Sequence, residues 1–238
     1  MKRNASRNWG ISTLIKGTRH YTNHVEVIAY GGGSYAHVKT PKRLSWLLYH
    51  LESIRRVSKT GYFDHWTANQ KIDSERNDLI YLRENGLLVP EVLDIGIQGV
   101  LVTEFLPHDP LGVSLSGRGY DGTIRLLSKS LRRLHSFGIH GEPVVDNCFI
   151  HSGQGYFADL ERFRKTSSKG AMARDLKIFI DSICYTTPGD ISEIEGIAFE
   201  EYDDQEVIVK YREYVSNNRT SHREYVSNSG KLHRGRKK

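Results

Sequence analysis

Apolar residues in the first forty positions come in short stretches rich in β-branched and aromatic side chains. Three such stretches, residues 11–15, 24–30 and 35–39, predict β-strands. Gly31-Gly32-Gly33-Ser34 lies between the last two stretches and predicts a hairpin turn. Pro41 should end the third strand, because proline lacks the N–H that a strand ladder needs.

Between residues 43 and 106 the apolar spacing is first helical and then strand-like. Leucine and isoleucine recur every three or four positions over residues 43–57 and again over 70–85, which predicts two helices. Gly86 should end the second of them. Two apolar stretches, residues 89–96 and 99–106, predict further strands of the same sheet.

The pattern turns helical beyond Pro107. Residues 121–137 carry apolar side chains on one face and predict an amphipathic helix. Residues 172–185 predict an apolar helix, and residues 187–210 predict one or two more packed helices.

A loop over residues 139–147 and two short strands, 148–151 and 156–159, interrupt this helical region. The sequence therefore predicts an α+β fold with two lobes. The N-lobe, residues 1–106, is β-rich with one main helix, and the C-lobe, residues 107–210, is mostly helical.

Composition adds few constraints. The chain has 238 residues and a formal net charge of +6, which suit one two-lobed domain with a tail. No run of eighteen apolar residues occurs, so no membrane span is expected. The basic start of the chain is not followed by an apolar stretch, and only two cysteines are present. These features predict a cytoplasmic protein without disulfides.

Residues 211–238 form a basic tail, and its end contains Lys231, Arg234 and Arg236. Basic side chains can hold RNA phosphates by releasing counterions, or they can simply be solvated. The tail also contains a short duplication, in which residues 212–217 recur as residues 223–228. We assign no function to this repeat.

Candidate chemistry is densest after residue 140. Glu142 is followed five residues later by Asn147, and an apolar stretch then leads to Asp159. A carboxylate beside an apolar strand is costly unless it is paired or binds a metal ion. The order of acid, Asn and later Asp is typical of phosphoryl-transfer sites, where the Asn and the later Asp hold metal ions. The alternative is that Glu142, Asp146 and Asn147 only form a turn.

Phosphoryl transfer also needs a cation on the nucleotide phosphates and a carboxylate that holds that cation. Lys39 ends an apolar strand, and Glu75 lies on the helix predicted over residues 70–85. Either side chain alone is more often a solvated surface charge. Lys42 competes with Lys39 for the role, but it follows Pro41 and should lie outside the strand.

One motif of this chain resembles the protein-kinase-like superfamily in its small atypical branch. The motif is His140-Gly141-Glu142, three further residues, Asp146-Asn147, and then Phe157-Ala158-Asp159-Leu160. The segment is most similar to RIO kinases, the small kinase subunit of the KEOPS tRNA-modification complex and the Kdo/heptose lipopolysaccharide kinases. Aminoglycoside phosphotransferases share the related His-Gly-Asp form. The basic ending, residues 232–238, resembles the tail of the KEOPS kinase. Apart from this ending, the resemblance covers about residues 11–185.

The resemblance implies a two-lobed kinase-like fold, with ATP and Mg²⁺ as cofactors. Glu142 would take the catalytic acid/base position. Asn147 and Asp159 would bind Mg²⁺, and Asp159 would also take part in catalysis. Independently of the resemblance, Asp175 is expected to cap or brace the catalytic loop from the following helix, the alternative being a solvent-exposed charge.

In the N-lobe the resemblance assigns the nucleotide contacts. Lys39 would contact the phosphates and Glu75 would orient it. Residues Glu104 to Leu106 would form the hinge that meets the adenine through backbone groups. The expected glycine-rich phosphate loop is poor, because residues 16–20 hold a single glycine.

Glu142 stands where the family has Asp, and its longer side chain moves the carboxylate by on the order of 1 Å.

Taken together, the residues and the resemblance predict a phosphotransferase with a hydroxyl acceptor, resembling an atypical Ser/Thr protein kinase and linked to tRNA modification as a KEOPS-type kinase or ATPase. Nucleotide is the expected partner, with a protein complex and tRNA bound through the tail. Two alternatives remain: a small-molecule or sugar kinase, and an ATP-binding pseudokinase subunit.

Overall fold

The structure, a computed structural model, describes residues 23–30, 34–41, 68–93, 99–105, 120–187 and 189–217. Two short 3-10 turns, Val145–Asn147 and Leu160–Arg162, flank a hairpin. The strands and helices in chain order are β1 (Asn23–Tyr30), β2 (Ser34–Pro41), α1 (Ala68–Glu84), β3 (Leu101–Glu104), α2 (Tyr120–His135), β4 (Cys148–His151), β5 (Gln154–Phe157), α3 (Lys169–Thr186), α4 (Ile191–Tyr202) and α5 (Gln205–Asn217).

The described residues divide into two compact units. The first takes those before residue 110 together with Phe149–Phe163. The second takes those from residue 110 to Cys148 and those from Arg164 onward. The first unit thus has the β-sheet and α1, and the second has the packed helices α2 to α5.

The sheet of the first unit is antiparallel, with β2 between β1 and β3. Lys39 of β2 lies opposite Val25 on one side and Leu101 on the other. The predicted pairing of two strands around residues 31–33 is confirmed, although those three residues are outside the described part. The strand predicted over residues 89–96 is reduced, in its described part, to a bridge between Val92 and Thr103.

Helix α1 packs against β2, β3 and the turn Leu160–Arg162. Its buried stripe includes Ile72, Leu79 and Leu82, as the periodicity predicts. Gly86 has a φ of 76° and ends the helix. Its N–H donates to the carbonyl of Arg83, and that of Leu87 donates to the carbonyl of Leu82, which is the Schellman arrangement.

The hairpin β4–β5 turns at Ser152 and Gly153, whose φ values are 50° and 71°. Positive φ at both positions suits a two-residue turn, because its twist matches that of the strands. The tight turn lets β5 begin at Gln154 and end at Phe157. The strand predicted over residues 156–159 is therefore displaced by two residues, and Asp159 lies beyond its end.

The predicted helices of the second unit are confirmed. Helix α2 buries Ile124, Leu127, Leu131 and Leu134 completely, which is the face expected from their spacing. It packs on α4, while α3 packs on α4 and α5. Ser168 caps α3 by accepting a hydrogen bond from the N–H of Ala171.

Helix α5 continues through Asn217 and so includes the first copy of the duplicated segment. The second copy, the rest of the tail and the elements predicted over residues 11–15 and 43–57 lie outside the described residues. Within the part of the chain that is described, no helix combines the length and apolarity needed to cross a membrane.

Candidate phosphoryl-transfer site

Lys39 lies on the middle strand of the sheet, and only 9% of its side chain is exposed. Its Nζ donates to Glu75 Oε2 at 2.7 Å and to Asp159 Oδ1 at 2.6 Å. Glu161 Oε2 lies 3.2 Å from the same nitrogen. The first unit therefore brings together three predicted residues, Lys39, Glu75 and Asp159, and adds Glu161.

The ammonium group of Lys39 is held in its charged form. Burial is the strongest influence on its pKa and acts to lower it. The charges of Glu75, Asp159 and Glu161 together outweigh burial, so the pKa of Lys39 lies well above its usual value. Lys39 is thus a fixed cation, which is what contact with phosphate requires.

Glu75 occupies the buried stripe of α1, between Ile72 and Leu79, and its side chain is 3% exposed. Burial raises the pKa of its carboxyl from 4.5 to about 7. Lys39 lowers this pKa in part, whereas Asp159 and Glu161 raise it further. The raised pKa values of Lys39 and Glu75 are consistent with each other, because three carboxylates surround one ammonium. Keeping a proton on Glu75, the most buried acid, relieves their excess negative charge most easily.

Asp159 has a φ of 58° and a ψ of 55°, in the left-handed region. Such a backbone is uncommon outside glycine and recurs at functional sites. In the turn that follows, Leu160 is buried and the Glu161 carboxylate lies next to Lys39 Nζ. Sequence reasoning missed Glu161, and the available signal was a second acid two positions after Asp159.

The carboxylate oxygens of Glu75, Asp159 and Glu161 all lie within 4.8 Å of one another. Hard oxygen ligands of this kind suit Mg²⁺. With all four groups ionised, the three carboxylates and one ammonium carry a net charge of −2. The donor set and the charge therefore both fit a divalent cation in this part of the structure.

Glu142 lies in the second unit, in a loop that begins where Ile139 pairs with Arg164. The loop is braced by Asp175 of α3, as the sequence predicts. The Asp175 carboxylate accepts hydrogen bonds from the backbone N–H of His140 at 2.6 Å and from that of Gly141 at 3.1 Å. Gly141 has a φ of 88°, which favours glycine at this corner.

His140 is fully buried. Its Nδ1 accepts the backbone N–H of Glu142 at 3.3 Å. Asn147 ends the 3-10 turn and donates from Nδ2 to the carbonyl oxygen of Glu142 at 3.0 Å. This bond fixes the amide orientation and leaves Oδ1 as the acceptor atom of the Asn147 side chain.

The proposed hinge is described only in part. Glu104 ends β3, and its backbone N–H already donates to the carbonyl of Glu91 at 2.8 Å. Its carboxylate lies 3.3 Å from the guanidinium of Arg83. Any contact of Glu104 with adenine must therefore use another backbone group. Leu106 lies outside the described residues, and the hinge stays a prediction.

No protein-family model matches the sequence, and no curated protein matches it either. Solved structures do match. The aminoglycoside-3'-phosphotransferase of type VIII aligns with 84% of this chain and 90% of its own, at 15% identity and a TM-score of 0.53. Aminoglycoside phosphotransferase APH(3'')-Id from Streptomyces rimosus aligns with 79% of this chain and 87% of its own, at 14% identity and a TM-score of 0.53.

A third similar structure is the Rio2 kinase of Chaetomium thermophilum, solved as a complex with ADP/Mg²⁺ and phosphoaspartate. It aligns with 86% of this chain and 70% of its own, at 15% identity and a TM-score of 0.51. This chain has the protein-kinase-like fold. The sequence resemblance based on residues 140–160 is confirmed at the level of fold.

Proposed function

We propose that the chain is an ATP- and Mg²⁺-dependent phosphotransferase with a hydroxyl group as acceptor. The carrying observation is the buried ion cluster of Lys39 with Glu75 and Asp159. Burying charged groups is unfavourable, and their retention in a core needs a reason beyond stability. A fixed lysine beside acidic metal ligands supplies one, since phosphoryl transfer depends on positioning and charge stabilisation.

Each residue of the cluster receives a role. Lys39 contacts the nucleotide phosphates and Glu75 orients it. Asp159 holds Mg²⁺, and Glu161 offers a further carboxylate to the ion. Bound Mg²⁺ would neutralise charge on the transferring phosphoryl group. Asn147, on the loop of the second unit, is proposed as the other metal ligand.

Glu142 is proposed to accept the proton of the attacking hydroxyl. The brace from Asp175 to the loop backbone supports this role, because proton transfer requires a carboxylate held within about 0.5 Å of its working position. Glu142 is one methylene longer than Asp, so Glu142→Asp tests whether the loop suits the longer side chain. A slower variant would show that the loop is adapted to Glu.

Two acceptor classes are proposed. The first is a protein hydroxyl, in an atypical Ser/Thr kinase linked to tRNA modification and located in the cytoplasm. The similarity to Rio2 kinase and the basic tail support it. The second is a small molecule, supported by the similarity to two aminoglycoside phosphotransferases. A pseudokinase that only binds ATP is supported by Glu142 alone.

The test uses γ-labelled ATP and Mg²⁺ with three acceptors: the chain itself, a generic protein substrate and a set of aminoglycosides. Labelled product that depends on Mg²⁺ and is lost in Asp159→Asn is expected. Labelled protein favours the first class, and labelled aminoglycoside favours the second. Nucleotide binding without ADP formation would indicate the pseudokinase. If wild type and Asp159→Asn release ADP equally, the assignment of the site is wrong.

The link to RNA has a separate test. Removing residues 218–238 leaves α5 intact and deletes the basic end of the tail. tRNA binding at fixed salt should weaken, because fewer counterions are released. Unchanged affinity would remove the support that the tail gives to the tRNA proposal.

A further inference from the structure

The brace on the loop is itself held by a buried histidine. His135 is the last residue of α2, and its ring lies between two polar side chains from other helices. Nε2 lies 3.3 Å from Asp175 Oδ2, and Nδ1 is hydrogen-bonded to the hydroxyl of Tyr202. Tyr202 ends α4 and is fully buried. All three side chains belong to the second unit.

Hydrogen-bond directions in this chain of contacts are determined by Asp175. A carboxylate has no proton to donate, so Asp175, which accepts the N–H groups of His140 and Gly141, also accepts from His135. In the neutral form of the His135 ring the proton is therefore on Nε2, and Nδ1 is an acceptor. The hydroxyl of Tyr202 must then donate to Nδ1.

Tyr202 is well suited to be a permanent donor. Burial is the main cause that raises the pKa of its phenol far above the usual value, so the hydroxyl keeps its proton. Its ring also meets the His135 ring edge-on, with centroids 5.6 Å apart and planes at 76°. The phenol thus fixes the orientation of the imidazole through one hydrogen bond and one ring contact.

We propose that Tyr202 is a positioning residue for the loop that carries Glu142. By donating to His135 Nδ1, it keeps the Nε2–H of the imidazole directed at Asp175, which in turn accepts the backbone N–H groups of His140 and Gly141. Helix α4 thereby helps to set the position of the loop, although it begins more than forty residues after the loop ends. The effect on catalysis rests on the proposed function, whereas the effect on the loop backbone does not.

The test compares Tyr202→Phe with Tyr211→Phe. Tyr211 is equally buried, and its hydroxyl donates to Glu195 Oε1 at 2.6 Å. Each variant therefore loses the hydroxyl hydrogen bond of one buried tyrosine, but only Tyr202 is connected to the loop. We measure amide hydrogen exchange at His140 and Gly141, and kcat and KM for ATP with the acceptor that accepts label.

Tyr202→Phe should accelerate exchange at His140 and Gly141 about tenfold, as expected for loss of one buried hydrogen bond. kcat should fall by a similar factor, because this loop carries Glu142, and KM for ATP should change by less than that, because Lys39, Glu75 and Asp159 lie in the other unit. Tyr211→Phe should change neither readout. Equal exchange at the two amides in both tyrosine variants would overturn the proposal, and so would faster exchange without a lower kcat in an active enzyme.

A double-mutant cycle provides a second measurement. In a His135→Asn background, adding Tyr202→Phe should cause no further acceleration, because the connection is already broken. Additive effects would show that Tyr202 acts by another route and would refute the proposal. If wild type transfers no phosphoryl group at all, the proposed function fails, and the exchange data alone decide whether Tyr202 positions the loop.

Discussion

Replacing Glu75 by Gln tests the charge balance of the ion cluster. Because burial raises the pKa of this carboxyl from 4.5 to about 7, the folded protein keeps a proton on Glu75 between pH 4.5 and about 7, where the unfolded chain has released it. The resulting stabilisation is fully present below about pH 4.5 and is lost as the pH rises through about 7. At about 1.4 kcal/mol per pH unit, the loss is about 3 kcal/mol in the wild type.

Gln is uncharged at every pH and has nearly the shape of the protonated acid. Glu75→Gln should therefore gain about 3 kcal/mol of unfolding free energy relative to wild type between about pH 4.5 and pH 8. Urea unfolding followed by circular dichroism across this range measures the difference. Glu84→Gln on the exposed side of α1 is the matched control and should follow wild type.

Parallel curves for wild type and Glu75→Gln would refute this reasoning. They would mean that Glu75 is ionised throughout the range, so that Lys39 compensates for its burial. A gain in Glu84→Gln equal to that in Glu75→Gln would show that the effect belongs to the helix and not to the cluster.

Three further predictions concern both units. Asp175→Asn should lower the free energy of unfolding by about 2–3 kcal/mol, because an amide nitrogen cannot accept the loop N–H bonds. Denaturant titration measures this loss. A loss no larger than that of the control variant Asp190→Asn would contradict the prediction. Leu131→Ala should cost about 2–5 kcal/mol in the same assay, since Leu131 is fully buried, and a loss under about 1 kcal/mol would argue against this packing. Mg²⁺–ATP binding near pH 7 should release protons from Glu75, making the calorimetric enthalpy depend on the buffer, and the same dependence in Glu75→Gln would exclude Glu75 as the source.

The helices were the most predictable elements because one-sided apolar spacing is written directly in the sequence. Leu127, Leu131 and Leu134 sit on the buried face of α2 as their intervals require. Strand ends were less predictable. Because the turn at Ser152 and Gly153 has only two residues, β5 begins at Gln154, two residues before the predicted start. Nothing in the apolar pattern distinguishes Gln154 from a loop residue.

The ion cluster was predictable only as a set of separate candidates. Lys39, Glu75 and Asp159 are far apart in sequence, and only the known requirements of phosphoryl transfer and the resemblance to kinase-like proteins joined them. Glu161 was missed because its approach to Lys39 depends on the left-handed backbone of Asp159. Tyr202 was missed for a similar reason. Its contact with His135 arises from the packing of α2 on α4, which sequence spacing alone does not determine.

The central claim, that Lys39 and Asp159 belong to a Mg²⁺–nucleotide site, is tested most directly by calorimetric titration with ATP in the presence and absence of Mg²⁺. Wild type should bind ATP more tightly with Mg²⁺. Lys39→Met should weaken binding at least about tenfold, and Asp159→Asn should remove the dependence on Mg²⁺. Circular dichroism confirms that each variant is folded. Absence of binding by wild type at millimolar nucleotide, or unchanged affinity in Lys39→Met, would contradict the account.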